Sequence, residues 1–110
     1  QFGSPTYARD LANTIIDIII KSILNPQAYL PGIYHYANQG SCSWFEFAQE
    51  IVALSNIDCE IVPVGTEKFP TKAKRPKYSV LDTTKVREAF GLGIPNWRDS
   101  LKDCVASKRY

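Results

Sequence analysis

The sequence predicts one mixed α/β domain that is rich in helix, with short strands packed against about four helices. Two observations support this fold class. Amphipathic periodicity between recognisable start and stop signals occurs four times in the 110 residues, and the β-branched or aromatic runs between these segments are short and bounded by turn residues. A chain of this length buries a single core that removes roughly two-thirds of the unfolded surface from water, so residues 1–110 are expected to form one domain.

The first helix is predicted over residues 8–24, between a lead-in at Pro5 and Thr6 and a stop signal at Asn25 and Pro26. Its polar side chains are spaced by four along one stripe, and apolar side chains cover much of the remaining surface: Leu11, Ala12, Ile15, Ile16, Ile18, Ile19, Ile20, Ile23 and Leu24. A helix this apolar needs cover on more than one side. We therefore expect part of it to face a neighbour that the 110 residues do not include.

A strand at 33–37 and a loop at 38–42 are predicted next, because tyrosine and β-branched residues give way to small polar ones. The second helix begins at a capping box, in which the Ser43 hydroxyl accepts from the backbone N–H of Glu46 and the Glu46 carboxylate reaches back. This helix is expected to run to about Leu54 with four side chains facing inward: Trp44, Ala48, Ile51 and Val52.

The second half of the chain is expected to be less regular at first. A strand is predicted at 59–64, a loop at 65–78 where periodicity disappears, and a short strand at 79–81.

Two helices complete the chain. The first is capped by Asp82 or Thr83 and ends at Gly91, with its inward side chains at Val86, Ala89 and Phe90. The second follows Pro95 and is indicated by apolar residues at i, i+4, i+7 and i+8: Trp97, Leu101, Cys104 and Val105.

Composition excludes several classes of partner. The formal net charge of +2 is below the basic bias of a dedicated nucleic-acid binder, so no nucleic-acid partner is expected. Charged residues interrupt the longest apolar stretch well short of the roughly 20 residues that a spanning helix needs, so no membrane partner is expected. Three cysteines and one histidine, with no C-x-x-C pair, predict neither a disulfide framework nor a metal site; reduced thiols in a cytoplasmic protein fit better.

The chain begins at Gln1 and contains no methionine, and its start lacks the basic-then-apolar pattern of a signal peptide. These features predict a piece of a longer protein.

The strongest chemical signal is a basic segment at 68–77, with five cations in ten residues and two prolines. Arg75, fixed by the following Pro76, is the best candidate to hold a pyrophosphate, because a guanidinium grips two oxygens in a planar fork. Nearby lysines supply charge: Lys72, Lys74 and Lys77. The alternatives are a solvated basic loop or, less favoured by the overall charge, a nucleic-acid contact.

No cofactor site is expected within the chain. Its six glycines never form G-x-G-x-x-G, and no tyrosine is followed by lysine four positions later, so neither a dinucleotide cradle nor a Tyr-Lys proton-transfer pair is present. No catalytic residue is assigned. The small-residue segment from Gly3 to Thr6 precedes a helix start and can receive a polar ligand or serve as a plain lead-in.

Short motifs occur in a fixed order along nearly the whole chain. They are Gln1 to Tyr7 with Asp10-Leu11-Ala12, Gly32 to Asn38, Ser43 to Ala48, Thr71 to Asp82 with Arg75-Pro76, and Pro95-Asn96-Trp97 with Ser100-Leu101. Together they resemble the C-terminal part of the dTDP-4-dehydrorhamnose reductases, which are extended short-chain dehydrogenases.

The resemblance implies a two-domain enzyme. An N-terminal Rossmann domain would carry NADPH or NADH and the Tyr-Lys pair, and the C-terminal domain would close over the dTDP-sugar whose C4 ketone is reduced. By family position, Gly3, Pro5 and Thr6 lie near the sugar and Arg75 meets the diphosphate. The 110 residues alone are then expected to bind no cofactor and to be inactive, and the full-length protein is a candidate homodimer.

Two other functions stay open at this point. One is a reductase-like regulatory or interaction subunit without chemistry, and the other is a nucleotide-sugar epimerase or dehydratase, which this half of the protein does not distinguish from a reductase.

Overall fold

The computed structural model describes residues 1–107, in which four α-helices and a two-stranded sheet form a mixed α/β architecture. The elements in chain order are β1 (Phe2–Gly3), α1 (Ala8–Leu24), β2 (Cys42–Ser43), α2 (Trp44–Ser55), α3 (Thr84–Phe90) and α4 (Trp97–Ser107), with single 3₁₀ turns at Pro26–Ala28 and Thr66–Lys68. The predicted fold class and the four predicted helices are confirmed.

The short sheet brings distant parts of the chain together. β1 pairs antiparallel with β2. On the other side of β1, the Phe2 N–H donates to the Lys77 carbonyl at 2.7 Å and the Phe2 carbonyl accepts from the Ser79 N–H at 2.8 Å. A Cβ at Gly3 would lie 3.1 Å from the Ser79 hydroxyl oxygen, so a side chain at this position would be tightly packed. The amino end of the chain therefore joins the start of α2 to the end of the basic segment at 68–77.

The strands predicted at 33–37, 59–64 and 79–81 are wrong. Within residues 1–107 none of these segments forms a strand, and the nearest pairing is an isolated bridge at Tyr78. A strand requires a partner for its backbone hydrogen bonds, and β-propensity does not supply one. The two strands that form, β1 and β2, lie instead in segments predicted as a lead-in and the end of a loop.

Helix ends follow the local sequence signals. The Ser43 hydroxyl accepts from the Glu46 N–H at 3.1 Å, which confirms this half of the predicted capping box. At the start of α3, the Asp82 carboxylate accepts from the Thr84 N–H at 2.9 Å, and hydrogen bonds from Thr84 lower the pKa of the Asp82 carboxyl. α3 ends at Gly91, whose φ of 62° is the left-handed conformation that glycine adopts readily.

The core is small: α2 packs against α4, and the Phe90 ring of α3 packs against the Tyr34 ring. Its buried apolar side chains are Ala37, Cys42, Val86, Phe90 and Trp97. The Phe47 ring of α2 meets the Trp97 ring of α4 edge to face, with centroids 6.0 Å apart. The prediction that Trp44 faces inward is wrong, because 68% of this residue is exposed.

α1 is the least covered helix. None of its residues is buried, and it packs mainly against the 3₁₀ turn that follows it. Large apolar side chains are exposed along it: Leu11, Ile15, Ile16, Ile19, Ile20, Ile23 and Leu24. No helix in residues 1–107 is long and apolar enough to cross a bilayer. These side chains are exposed within residues 1–107, and the neighbour expected for α1 stays a prediction.

Candidate functional site

A buried asparagine connects the starts of two helices. Asn38 is 2% exposed, and its side-chain oxygen accepts from the Tyr7 N–H at 2.7 Å, just before α1. Its side-chain nitrogen donates to the Asp10 carboxylate at 2.8 Å, to the Ser100 hydroxyl at 3.1 Å and to the Pro95 carbonyl at 3.2 Å. Asn38 has no role predicted from the sequence, where it only ends the Gly32-to-Asn38 motif.

The same connection fixes the segment between β1 and α1. The Thr6 hydroxyl accepts from the Asn38 N–H at 3.2 Å and donates to the Ser4 carbonyl at 3.0 Å, and the Ser4 hydroxyl donates to the Gly40 carbonyl at 2.6 Å. Gly40 has a φ of 83°, and a Cβ there would lie 3.0 Å from the Trp97 ring, so glycine is required on both counts. Residues 4–6 are thus held by side-chain hydrogen bonds rather than by a sheet.

A cavity of about 860 Å³ opens between β1, the start of α2 and the basic segment at 68–77. Its volume lies within the range of roughly 300–1,000 Å³ that is typical of small-molecule sites. Aromatic and polar side chains share the wall: Phe2, Trp44, Phe45, Phe47 and Phe69 on the one hand, and Gln1, Ser4, Ser43, Thr66, Thr71, Arg75 and Ser79 on the other. Arg75 is the single cation among these lining residues, and the wall contains no carboxylate.

The structure brings some of the predicted binding residues together and separates others. Gly3, Pro5 and Arg75 line the cavity. Thr6 does not line it and instead supports the backbone of Ser4. The three lysines near Arg75 in sequence are exposed and lie outside the cavity wall: Lys72, Lys74 and Lys77.

The residues that line the cavity include no His, Lys, Asp or Glu. Cys42 contributes to its wall, but burial, followed by the nearby Glu46 carboxylate, raises the pKa of the Cys42 thiol. A thiol held in its neutral form is a poor nucleophile. Among residues 1–107, no three His, Cys, Asp or Glu side chains form a group that could hold a metal ion. An anionic ligand with a flat or apolar part matches the wall.

A second cavity of about 550 Å³ lies beside the carboxyl end of α1. Its wall is almost entirely apolar and is formed by Ile18, Ile19, Ile23, Tyr29, Leu30, Tyr34 and Phe90, among others. It continues the exposed apolar stripe of α1 and offers little to recognise a charged ligand.

Comparison with known proteins places the chain in a family. The model of the RmlD substrate binding domain matches residues 1–110. The spore coat polysaccharide biosynthesis protein SpsK of Bacillus subtilis is 41% identical over 98% of this chain and 35% of its own length. A dTDP-4-dehydrorhamnose reductase of Aggregatibacter actinomycetemcomitans is 38% identical over 96% of this chain and 38% of its own.

A solved structure agrees with these sequence matches. The dTDP-4-dehydrorhamnose reductase of Bacillus anthracis, in complex with NADP, superposes with a TM-score of 0.84 and 39% identity over 99% of this chain and 36% of that one. The chain thus spans little more than a third of the length of the relatives it matches. The resemblance noted in the sequence is confirmed: this chain belongs to the family of RmlD substrate binding domains, the substrate-binding part of the dTDP-4-dehydrorhamnose reductases.

Proposed function

We propose that residues 1–110 are the sugar-nucleotide-binding part of a longer, cytoplasmic reductase that converts dTDP-4-dehydro-L-rhamnose to dTDP-L-rhamnose for surface polysaccharide. Family membership over the whole chain is the observation that carries this proposal. The B. subtilis relative is named as a polysaccharide biosynthesis protein, which supports the proposal that the product is used to make surface polysaccharide.

The cavity beside β1 is the proposed substrate site. Arg75 supplies its positive charge, and a guanidinium can donate two parallel hydrogen bonds to a diphosphate. Gly3 and Pro5 shape the end of the wall where the sugar is proposed to lie, and Thr6 holds that end through Ser4. Lys72, Lys74 and Lys77 contribute to the potential around the entrance rather than to direct contacts. Binding of the diphosphate positions the ketone for reduction.

The residues of this chain do not fit a nicotinamide dinucleotide. Such a cofactor binds where a parallel strand leads through a glycine-rich turn into a helix. Within residues 1–107 the only sheet is the antiparallel β1–β2 pair, and neither of its strands leads through a glycine-rich turn into a helix. We therefore assign NADPH or NADH, and the Tyr-Lys pair, to a cofactor domain that precedes this one in the full-length protein.

The exposed stripe of α1 is proposed to pack against that cofactor domain. Ile15, Ile16, Ile19 and Ile20 are each about half exposed, with values between 48% and 53%. Contiguous apolar surface of this kind is typical of an interface. A second copy of the protein is the other occupant to consider, since a homodimer is also expected of the full-length enzyme.

Replacing Ile19 with glutamate is expected to destabilise the full-length protein by about 2 kcal/mol or more, because the change places a charge where an apolar side chain is buried between domains. Thermal unfolding measures the effect, and size-exclusion chromatography shows whether a dimer dissociates instead. Asn13→Glu, on the polar stripe of the same exposed helix, is the matched control and should change little. An unaltered melting temperature for Ile19→Glu would show that this face is open to solvent in the whole protein.

Replacing Arg75 with alanine is expected to weaken the binding of dTDP-sugars by about 1.5 to 3 kcal/mol, or roughly ten- to 150-fold, which is the scale of a charge-assisted contact. Titration calorimetry of the full-length protein measures the affinity. Lys74→Ala removes an equal charge from the neighbouring position outside the wall and should have a much smaller effect. Equal losses of affinity for both variants would mean that Arg75 acts only through its charge at a distance and makes no direct contact with the diphosphate.

Activity tests the proposal as a whole. The full-length protein should oxidise NADPH or NADH when given dTDP-4-dehydro-L-rhamnose, and residues 1–110 alone should not. A full-length protein that binds dTDP-sugars without turnover would favour the regulatory alternative, and one that converts the sugar without consuming cofactor would favour an epimerase or dehydratase.

A further inference from the structure

Trp44, the first residue of α2, is a large aromatic residue of which 68% is exposed. The other tryptophan, Trp97, is only 3% exposed. Trp44 lines the 860 Å³ cavity together with Phe69, which is 73% exposed. Two exposed aromatic rings in the wall of one cavity are costly to leave in water and gain most when a flat apolar group covers them.

The orientation of Trp44 is fixed by its neighbours. Its ring contacts the Phe47 ring edge to face, with centroids 6.1 Å apart and an interplanar angle of 63°. Phe47 in turn contacts the buried ring of Trp97. The backbone at Trp44 is held by the capping bond from Glu46 to Ser43. The indole therefore packs on Phe47 while most of it stays exposed, so little conformational entropy is lost when a ligand stacks on it.

Charge decides which kind of flat group fits. Arg75 lines the same cavity, and no carboxylate does, so the wall offers one anion-binding fork and an exposed aromatic surface. A nucleoside diphosphate carries both complementary parts, a planar base and two phosphates. An uncharged aliphatic ligand would use the aromatic surface but leave the guanidinium unpaired.

We propose that Trp44, with Phe69 as a second wall, is the stacking platform for the base of the sugar nucleotide. This inference rests on the proposed function of the cavity and adds to it the part of the site that binds the nucleoside. Stacking is tolerant of base identity because every base has a π-face, so Trp44 contributes affinity and leaves selection of the base to hydrogen-bonding groups.

The test compares two probes in the full-length protein: dTDP, which has a base, and inorganic pyrophosphate, which has none. Trp44→Ala is expected to weaken dTDP binding by about ten- to 100-fold, the scale of one base stacked on an aromatic ring, and to leave pyrophosphate binding unchanged. Trp44→Phe should recover most of the affinity for dTDP. Tyr78→Ala removes an aromatic side chain that is 67% exposed but does not line the cavity, and should change neither affinity.

Three outcomes would contradict the stacking role of Trp44. Unchanged dTDP affinity in Trp44→Ala, with normal binding by the wild type, overturns the stacking role and leaves the substrate site in place. Equal weakening of dTDP and pyrophosphate also overturns it, because the effect would then not depend on the base. Absence of dTDP binding to the wild type overturns both the stacking role and the proposed function.

Discussion

Replacing Asn38 with alanine is expected to lower the free energy of unfolding by about 3 kcal/mol and to weaken substrate binding as well. The change removes the side-chain oxygen that accepts from the N–H of Tyr7, just before α1, and the side-chain nitrogen that donates to three groups on α1, on α4 and in the loop before α4. The Tyr7 N–H and the Asp10 carboxylate each lose a hydrogen bond in a part-buried site, at a cost of about 1–3 kcal/mol per group left unsatisfied. Urea unfolding of the full-length protein measures the loss.

Substrate affinity should fall because Asn38 also helps to hold residues 4–6 at the cavity wall. Gln39→Ala is the matched control, since the hydrogen bonds recorded at Gln39 all involve its backbone. It should change stability by less than about 1 kcal/mol. A stability loss in Asn38→Ala no greater than in Gln39→Ala would mean that water replaces the amide, and that the two helix starts do not depend on it.

Local signals in the sequence were enough to predict the helices. Periodicity gave α1 with the bounds that the structure has, and capping residues gave the starts of α2 and α3. These signals work because a helix satisfies its backbone hydrogen bonds within one segment. The capping hydroxyl of Ser43 and the left-handed Gly91 depend only on residues a few positions away.

Long-range pairing was not predictable in the same way. Residues 33–37 have strand-like composition and form no strand, whereas Phe2–Gly3 pairs with Cys42–Ser43 across some forty residues. A strand needs a partner, and the partner is not encoded in the segment itself. Periodicity also failed for Trp44, because it reports which helical face a residue shares and not whether another element covers that face.

Neither chemistry nor position in the sequence predicts the whole cavity wall. Arg75, predicted from its guanidinium, lines the cavity, whereas the three lysines predicted from their charge do not. Of the residues that the resemblance places near the sugar, Gly3 and Pro5 line the cavity and Thr6 does not. Asn38 was missed because its importance comes from three separate segments that meet only after folding.

The two tryptophans should respond to substitution in opposite ways. Trp97→Ala is expected to lower the free energy of unfolding by about 3–5 kcal/mol, the usual cost of removing a buried aromatic side chain and leaving a cavity. Trp97 is 3% exposed, packs against Phe47 and the Gly40 turn, and lies under the Arg98 guanidinium, whose central carbon is 4.6 Å from its ring.

Trp44→Ala, the matched control, should lower the free energy of unfolding by less than about 1 kcal/mol, because most of that residue already contacts water. Urea unfolding of the full-length variants provides both values. A large loss for Trp44→Ala would mean that another part of the protein covers the indole, and the aromatic wall of the cavity would then be closed to a nucleoside. A large loss for Trp97→Ala alone separates a ring that stabilises the fold from a ring that is free to bind.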